Sequence, residues 1–250
     1  IYPTPDKKLI LNGNLNLFNR FKLPLSISFL SGVGYIIFSS LFQLYVFVAI
    51  MGVSFTLSSI LGEFYKSYKK QKNSSNFLHS IVKMFLSNRH KNGGYIVHIG
   101  IVLLFIGFIG RAFEVEKEFS LSPGEQIYFS NYVFKLNSIK SEARDNHYAF
   151  LSEIDVVDSS TNQLLTNLKP EKRIYFYWNS DPEKRQPHSE LDIYSTIQKD
   201  IYSIFSGYDA QKNIGYFKIM INPLVNWVWI GGVLMVIGSL FAFWPSRRNS

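Results

Sequence analysis

The chain contains no cysteine. That excludes a disulfide scaffold, a cysteine zinc site, a cysteine-ligated iron–sulfur cluster, a CxxC redox pair and a cysteine nucleophile. It is also poor in charge. Asp, Glu, Lys and Arg make up 18% of its 250 residues, against about 25% in a soluble domain. No GxSxG elbow, HExxH pair or phosphate-cradling glycine loop is present, so the common hydrolase and nucleotide-binding signatures are missing. Intrinsic disorder is excluded by what is abundant: 47% of residues are hydrophobic, with 22 Phe and 15 Tyr.

The missing charge is concentrated in long runs. No charged residue occurs over Leu23–Gly62, Asn92–Gly110 or Pro223–Ser246. A bilayer core takes about 20 apolar residues as a helix. Asn92–Gly110 and Pro223–Trp244 therefore each read as one span. Leu23–Gly62 would be about 60 Å long as one helix, too long for one crossing, so it reads as two spans. The polar patch Ser39, Ser40 and Gln43 is the natural hairpin between them. The expectation is an α-helical integral membrane protein with four transmembrane helices. Residues 1–22 are polar and lack the apolar region of a signal peptide.

The net charge of +8 is distributed unevenly. Residues 1–22, the connection 63–92 and the tail 246–250 are basic: Lys66, Lys69, Lys70, Lys72, Lys83, Arg89 and Lys91 face a single acid, Glu63, in the connection. Residues 111–222 carry an excess of acids. The positive-inside rule then places both termini and residues 63–92 in the cytoplasm, and residues 111–222 outside. The basic balance is an orientation signal. Nucleic-acid binding would need a basic patch interleaved with aromatics, and none occurs.

Residues 111–222 are long enough for one small domain and read as β. Phe119–Leu121, Tyr132–Leu136, Phe150–Val157, Arg173–Trp178, Ile201–Phe205 and Tyr216–Ile221 are strand-like, separated by turns such as Ser122-Pro123-Gly124-Glu125. Residues 179–187, with two prolines, read as a loop. The expected fold is a small all-β antiparallel barrel or sandwich between the third span (93–110) and the fourth (223–245).

Five histidines are present. His98 lies six residues into the third span, about 8 Å inside its edge. An intramembrane ionisable side chain is costly and points to function. A neutral imidazole suits an axial ligand to haem iron; the residue taken alone reads first as a hydrogen bond between helices. His79 and His90 fall among lysines, and His147 and His188 in the outer segment, and all four read as solvated. The charges Glu171, Arg173, Glu190, Asp192 and Asp200 read as solvated or loop-fixing ion pairs. Trp227 and Trp229 suit an interfacial aromatic belt.

Three stretches in order carry a family resemblance: Arg89-His90-Lys91-Asn92-Gly93-Gly94-Tyr95-Ile96-Val97-His98-Ile99-Gly100; Leu121-Ser122-Pro123-Gly124-Glu125 with Pro170-Glu171-Lys172-Arg173-Ile174-Tyr175; and Asn222-Pro223-Leu224-Val225-Asn226-Trp227-Val228-Trp229-Ile230-Gly231-Gly232. The chain resembles the C-terminal portion of the CcmF family of membrane haem lyases of cytochrome c maturation. The resemblance implies a b-type haem held between two transmembrane histidines, with His98 matching one of them. It also implies as partners the haem chaperone CcmE, a CcmH-type apocytochrome-handling protein and apocytochrome c. The family's tryptophan-rich WWD region is absent, since the tryptophans are Trp178, Trp227, Trp229 and Trp244. The family's periplasmic histidine pair and other membrane histidine are absent too. The chain opens on Ile1, and the expectation is a fragment or the C-terminal half of a split lyase, with a WWD-bearing half supplying the second axial ligand. Competing readings are a ResB-type assembly subunit and a non-catalytic membrane scaffold.

Overall fold

The computed structural model describes residues 7–39, 42–70, 89–176 and 187–244. His79, Ser40, Trp178, most of the expected loop 179–187 and the tail 246–250 lie outside the described residues. The chain divides into two compact units, one formed by residues 1–112 and 227–250, the other by 113–226.

The first unit is helical. Helix α1 is Lys7–Phe38, α2 is Leu44–Lys70, α3 is Arg89–Gly110 and α4 is Val225–Phe243. Each contains a segment long and apolar enough to cross a membrane, with mean hydropathy between 1.5 and 2.2. Between 11% and 22% of each such segment is buried inside the chain. Phe29, Ile37, Val233 and Leu240 are all more than half exposed, as lipid-facing side chains would be.

The hairpin between α1 and α2 is held by Tyr35. Its carbonyl accepts from Ser39 N at 2.9 Å and its hydroxyl accepts from Gln43 N at 3.1 Å. Further along, Ser28 Oγ donates to Met51 O across the pair at 2.8 Å. This is the kind of polar clasp that holds apolar helices together where water supplies no hydrophobic drive.

Helices α3 and α4 approach through small residues. Gly93, Gly100 and Gly107 are buried and recur every seven residues along α3. Gly231 and Gly238 recur at the same interval on α4 and are buried as well. Gly93 faces Ala242, Val97 faces Gly238, and Gly100 faces Gly231 and Met235, an antiparallel order. A seven-residue period keeps one stripe on one side of a helix, and glycine lets backbones meet there.

The second unit is β. One sheet has the order β1-β10-β9-β8, with β1 Val115–Leu121, β10 Ile214–Pro223, β9 Lys199–Asp209 and β8 Asp192–Ser195. The other runs β2-β3-β4-β6-β7, with β2 Gln126–Phe129, β3 Tyr132–Ala143, β4 His147–Asp158, β6 Glu171–Tyr175 and β7 Pro187–Glu190; β5, Leu164–Leu168, pairs with β4. All pairings are antiparallel. Phe134, Leu136, Ile154 and Val156 of one sheet share a core with Ile201, Phe205, Phe217 and Ile219 of the other. Phe205 and Phe217 stack at 4.9 Å. The alternation along β9 and β10 sends every second side chain into that core.

Four strands escape the sequence pattern: β2, β5, β7 and β8. All are four or five residues long, too short for alternation to show. Pro187, expected in a loop, opens β7. This is an edge strand in the sheet order, where proline's missing N–H is tolerated. The turn 122–125 forms as read. Gly124 has φ of +92°, and Glu125 N donates to Ser122 O at 3.0 Å, a turn that needs glycine at its third position. The last helix begins at Val225, not at Pro223. Pro223 ends β10, and Leu224 makes the corner with φ of +63°.

Candidate functional site

His98 sits on α3 with its side chain exposed. Its Nδ1 lies 2.7 Å from Gly94 O. A carbonyl only accepts, so Nδ1 carries the hydrogen. In the neutral ring Nε2 then presents its lone pair outward. Nothing among the described residues hydrogen-bonds to it. The glue role would need a partner on a neighbouring helix. The observed bond stays within α3 and fixes the tautomer a metal ligand requires.

The helix period decides what accompanies His98. The stripe that meets α4 runs through Gly93, Val97, Gly100 and Leu104. His98 is on the other side. Ile101, Val102 and Phe105, three, four and seven residues on, share its face. These three line an apolar groove of about 590 Å³ with Leu44, Tyr45, Val48, Ala49, Gly52, Val53 and Thr56 of α2. A Cβ on Gly52 would meet nothing within 4 Å. Toward the start of α3 the same seam turns polar. Lys91 Nζ reaches Glu63 at 3.2 Å, and Tyr95 packs on Phe64 with ring centroids 5.1 Å apart. A second cavity of about 470 Å³ opens there, lined by Phe21 and Pro24 of α1, Glu63 and Lys66 of α2, and Lys91 and Tyr95 of α3.

These residues fit a haem. It needs a neutral nitrogen donor, an apolar slot for most of its rim and a polar end for its carboxylates. The slot's volume falls in the roughly 300–1,000 Å³ range of cofactor sites. No cluster of three His, Cys, Asp or Glu suited to a bare metal ion occurs among the described residues. Lys91 was counted in the sequence only as an orientation charge. Its spacing of seven from His98 was the signal that the two share a helix face.

The other candidates do not join this site. His90 is exposed, edge-on to Phe243 at 5.9 Å. His188 is exposed on β7. His147, expected to be solvated, is 7% exposed. It opens β4 opposite Tyr175 of β6, whose ring covers it at 5.0 Å, and its Nδ1 donates to Asn146 Oδ1 at 2.6 Å. Pairing in the sheet interior, invisible in the sequence, removes it from water.

Arg173, Glu171 and Glu190 form one ion network. Arg173 Nε donates to Glu171 at 2.8 Å, and Nη1 lies 3.2 Å from Glu190. Burial pushes the Glu171 carboxyl up, but Arg173 and then Arg144 outweigh it and hold it below the usual range. Asp200, 4% exposed, accepts from Ser195 Oγ at 2.6 Å and from Asn226 Nδ2 at 3.3 Å. These carboxylates fasten strands together within the β unit.

Fold and site together define a class: a four-span membrane chain with an antiparallel β insert before its last span and an outward-facing histidine on its third. The chain resembles the C-terminal portion of CcmF. Residues 112–223 match the family described as CcmF C-terminal beta-sandwich. Over 200 residues the chain is 24% identical to the cytochrome c-type biogenesis protein CcmF of Haemophilus influenzae, covering 80% of this chain and 29% of that protein. It is 25% identical over 155 residues to the probable cytochrome c-type biogenesis protein NrfE of Escherichia coli, covering 62% of this chain and 26% of that one. The solved structure of a cytochrome c heme lyase CcmF shares the fold with a TM-score of 0.62 at 16% identity, over 98% of this chain and 36% of that chain. The chain thus spans about a third or less of the length of these relatives.

Proposed function

We propose that this chain is the C-terminal part of a membrane haem lyase that acts in cytochrome c maturation. In it, His98 supplies one axial ligand to a b-type haem in the membrane. One observation carries the reading: a histidine inside a helix long and apolar enough to span a membrane, its Nδ1 2.7 Å from Gly94 O, is exposed on the helix face that continues into an apolar groove.

When bound, haem iron supplies one-electron redox chemistry. The chain's own contributions are separable. His98 holds the iron through Nε2. Gly94 O keeps the ring oriented and raises its basicity. Val48, Gly52, Val102 and Phe105 line an apolar groove that would exclude water from a bound haem. A WWD-bearing half would supply the other ligand, and CcmE, a CcmH-type protein and apocytochrome c would be the partners in haem transfer.

The uneven charge supports an orientation with both termini in the cytoplasm and residues 111–222 in the periplasm of the inner membrane. The β unit then stands on the side where apocytochrome c is assembled.

The test is the reduced-minus-oxidised spectrum of the complete protein purified from native membranes. His98→Ala should remove the b-type signal while the β unit keeps its hydrogen-exchange protection. A full b-type signal in that variant refutes the ligand assignment.

A further inference from the structure

We propose that Lys91, with Lys66 beside it, binds the carboxylates of the haem that His98 ligates. The proposal rests on the haem reading of His98 and specifies how that haem is turned in its site.

Position comes first. Lys91 and His98 are seven residues apart on α3, two turns, so they share a face about 10.5 Å apart along the axis. Gly94 lies between them on that face, and a Cβ there would meet nothing within 4 Å. The chain therefore leaves the span between ammonium and imidazole open.

Polarity comes second. The apolar groove lies beyond His98 in one direction, lined by Val102 and Phe105. The polar cavity lies in the other, at Lys91, Lys66 and Tyr95. A haem is apolar on one edge and carries two carboxylates on the other. Only one in-plane orientation puts each edge against its like.

Charge comes third. Glu63 accepts from Lys91 at 3.2 Å and lies 3.5 Å from Lys66. One carboxylate cannot neutralise two ammonium groups. Among the described residues the cavity lining holds no other acid, so these carry one excess positive charge at the edge of a low-dielectric region. An anion there is bound more strongly than it would be in water. A phospholipid phosphate could use the same lysines; it would not reach past Gly94 to the iron ligand, and the experiment separates the two.

The experiment uses the complete protein, solubilised, depleted of haem and reloaded with haem or with haem dimethyl ester. The wild type should bind the free acid about tenfold more tightly than the ester, as expected for a lost charge-assisted hydrogen bond. Lys91→Gln should lose most of that preference, and Lys91→Arg should keep it. Lys91→Gln should also lower the haem's midpoint potential, because removing a nearby cation favours the ferric state. Equal affinity of the wild type for acid and ester overturns the proposal without any variant. A preference unchanged in Lys91→Gln, with only its co-purifying phospholipid altered, overturns it in favour of a lipid site. If His98→Ala still loads haem, the underlying haem reading has failed. If His98→Ala loses haem while Lys91→Gln keeps the preference, only the carboxylate assignment has failed.

Discussion

Gly100 and Gly231 meet backbone to backbone. A Cβ on Gly100 would lie 2.7 Å from Gly231 O, and one on Gly231 would lie 2.5 Å from Gly100 O. No side chain can be accommodated without moving a helix, because the obstacle in each case is main chain. The pair is the point where α3, which carries His98, is pinned to α4.

Gly100→Leu should therefore force α3 and α4 apart. Overpacking of this kind costs about 1–3 kcal/mol. Unfolding titrations in detergent should show the loss. Gly94→Ala, on the opposite face with nothing within 4 Å, should be nearly silent. Equal stability of the two variants would show that the glycine contact does not hold the helices.

Gly52 tests the apolar groove. Its position lines the groove and its neighbourhood is open, so Gly52→Leu should insert and fold normally. The leucine would occupy space that the haem reading reserves for the porphyrin. Haem content, read from the reduced-minus-oxidised spectrum, should fall severalfold. Unchanged content would place the haem outside this groove.

Asn226, the last residue of the β unit, binds the β8–β9 turn. Its Nδ2 donates to Thr196 O at 2.7 Å and to Ser195 Oγ at 3.0 Å, with Asp200 Oδ1 at 3.3 Å. Asn226→Ala should cost about 1 kcal/mol, as expected for the loss of hydrogen bonds to part-buried acceptors. Amide exchange at Ile201–Phe205 should accelerate. Wild-type protection there would mean that the cluster is held by Ser195 alone.

The pH dependence of the β unit should carry the signature of Glu171. Its carboxyl is held below the usual range despite burial, by Arg173 and Arg144. A depressed folded-state pKa contributes stability that is complete above the ordinary carboxylate range. That stability is lost as the pH falls through the lower, folded-state value. Glu171→Gln should lower stability at neutral pH by about 1 kcal/mol. It should also flatten the acid limb of the stability curve. An acid limb as steep as in the wild type would assign the dependence to other carboxylates.

The uncharged runs, the basic connection and the alternating segments after residue 115 determined the four helices and the β insert. Each of these is a local pattern: an apolar run long enough to span, or a period of two along a strand. His98 was legible for the same reason, since an ionisable residue stands out in an apolar run. The short strands β2, β5, β7 and β8 were not legible, because a few residues carry no period. Nor was the burial of His147, which depends on its pairing with Tyr175 of β6 across 27 intervening residues.

The sequence by itself determined which segments are long and apolar enough to cross a membrane and that one of them carries an ionisable residue, His98. Only the tertiary structure decided which way that residue faces. The glycine stripe of α3 packs on α4, so the opposite face, with His98, is left outward along the seam with α2. The same packing set Lys91 and Glu63 at one end of that seam and an apolar groove at the other. Side chains on one helix face come together through a partner helix, and the choice of partner is a matter of steric fit between surfaces that no single stretch of sequence contains.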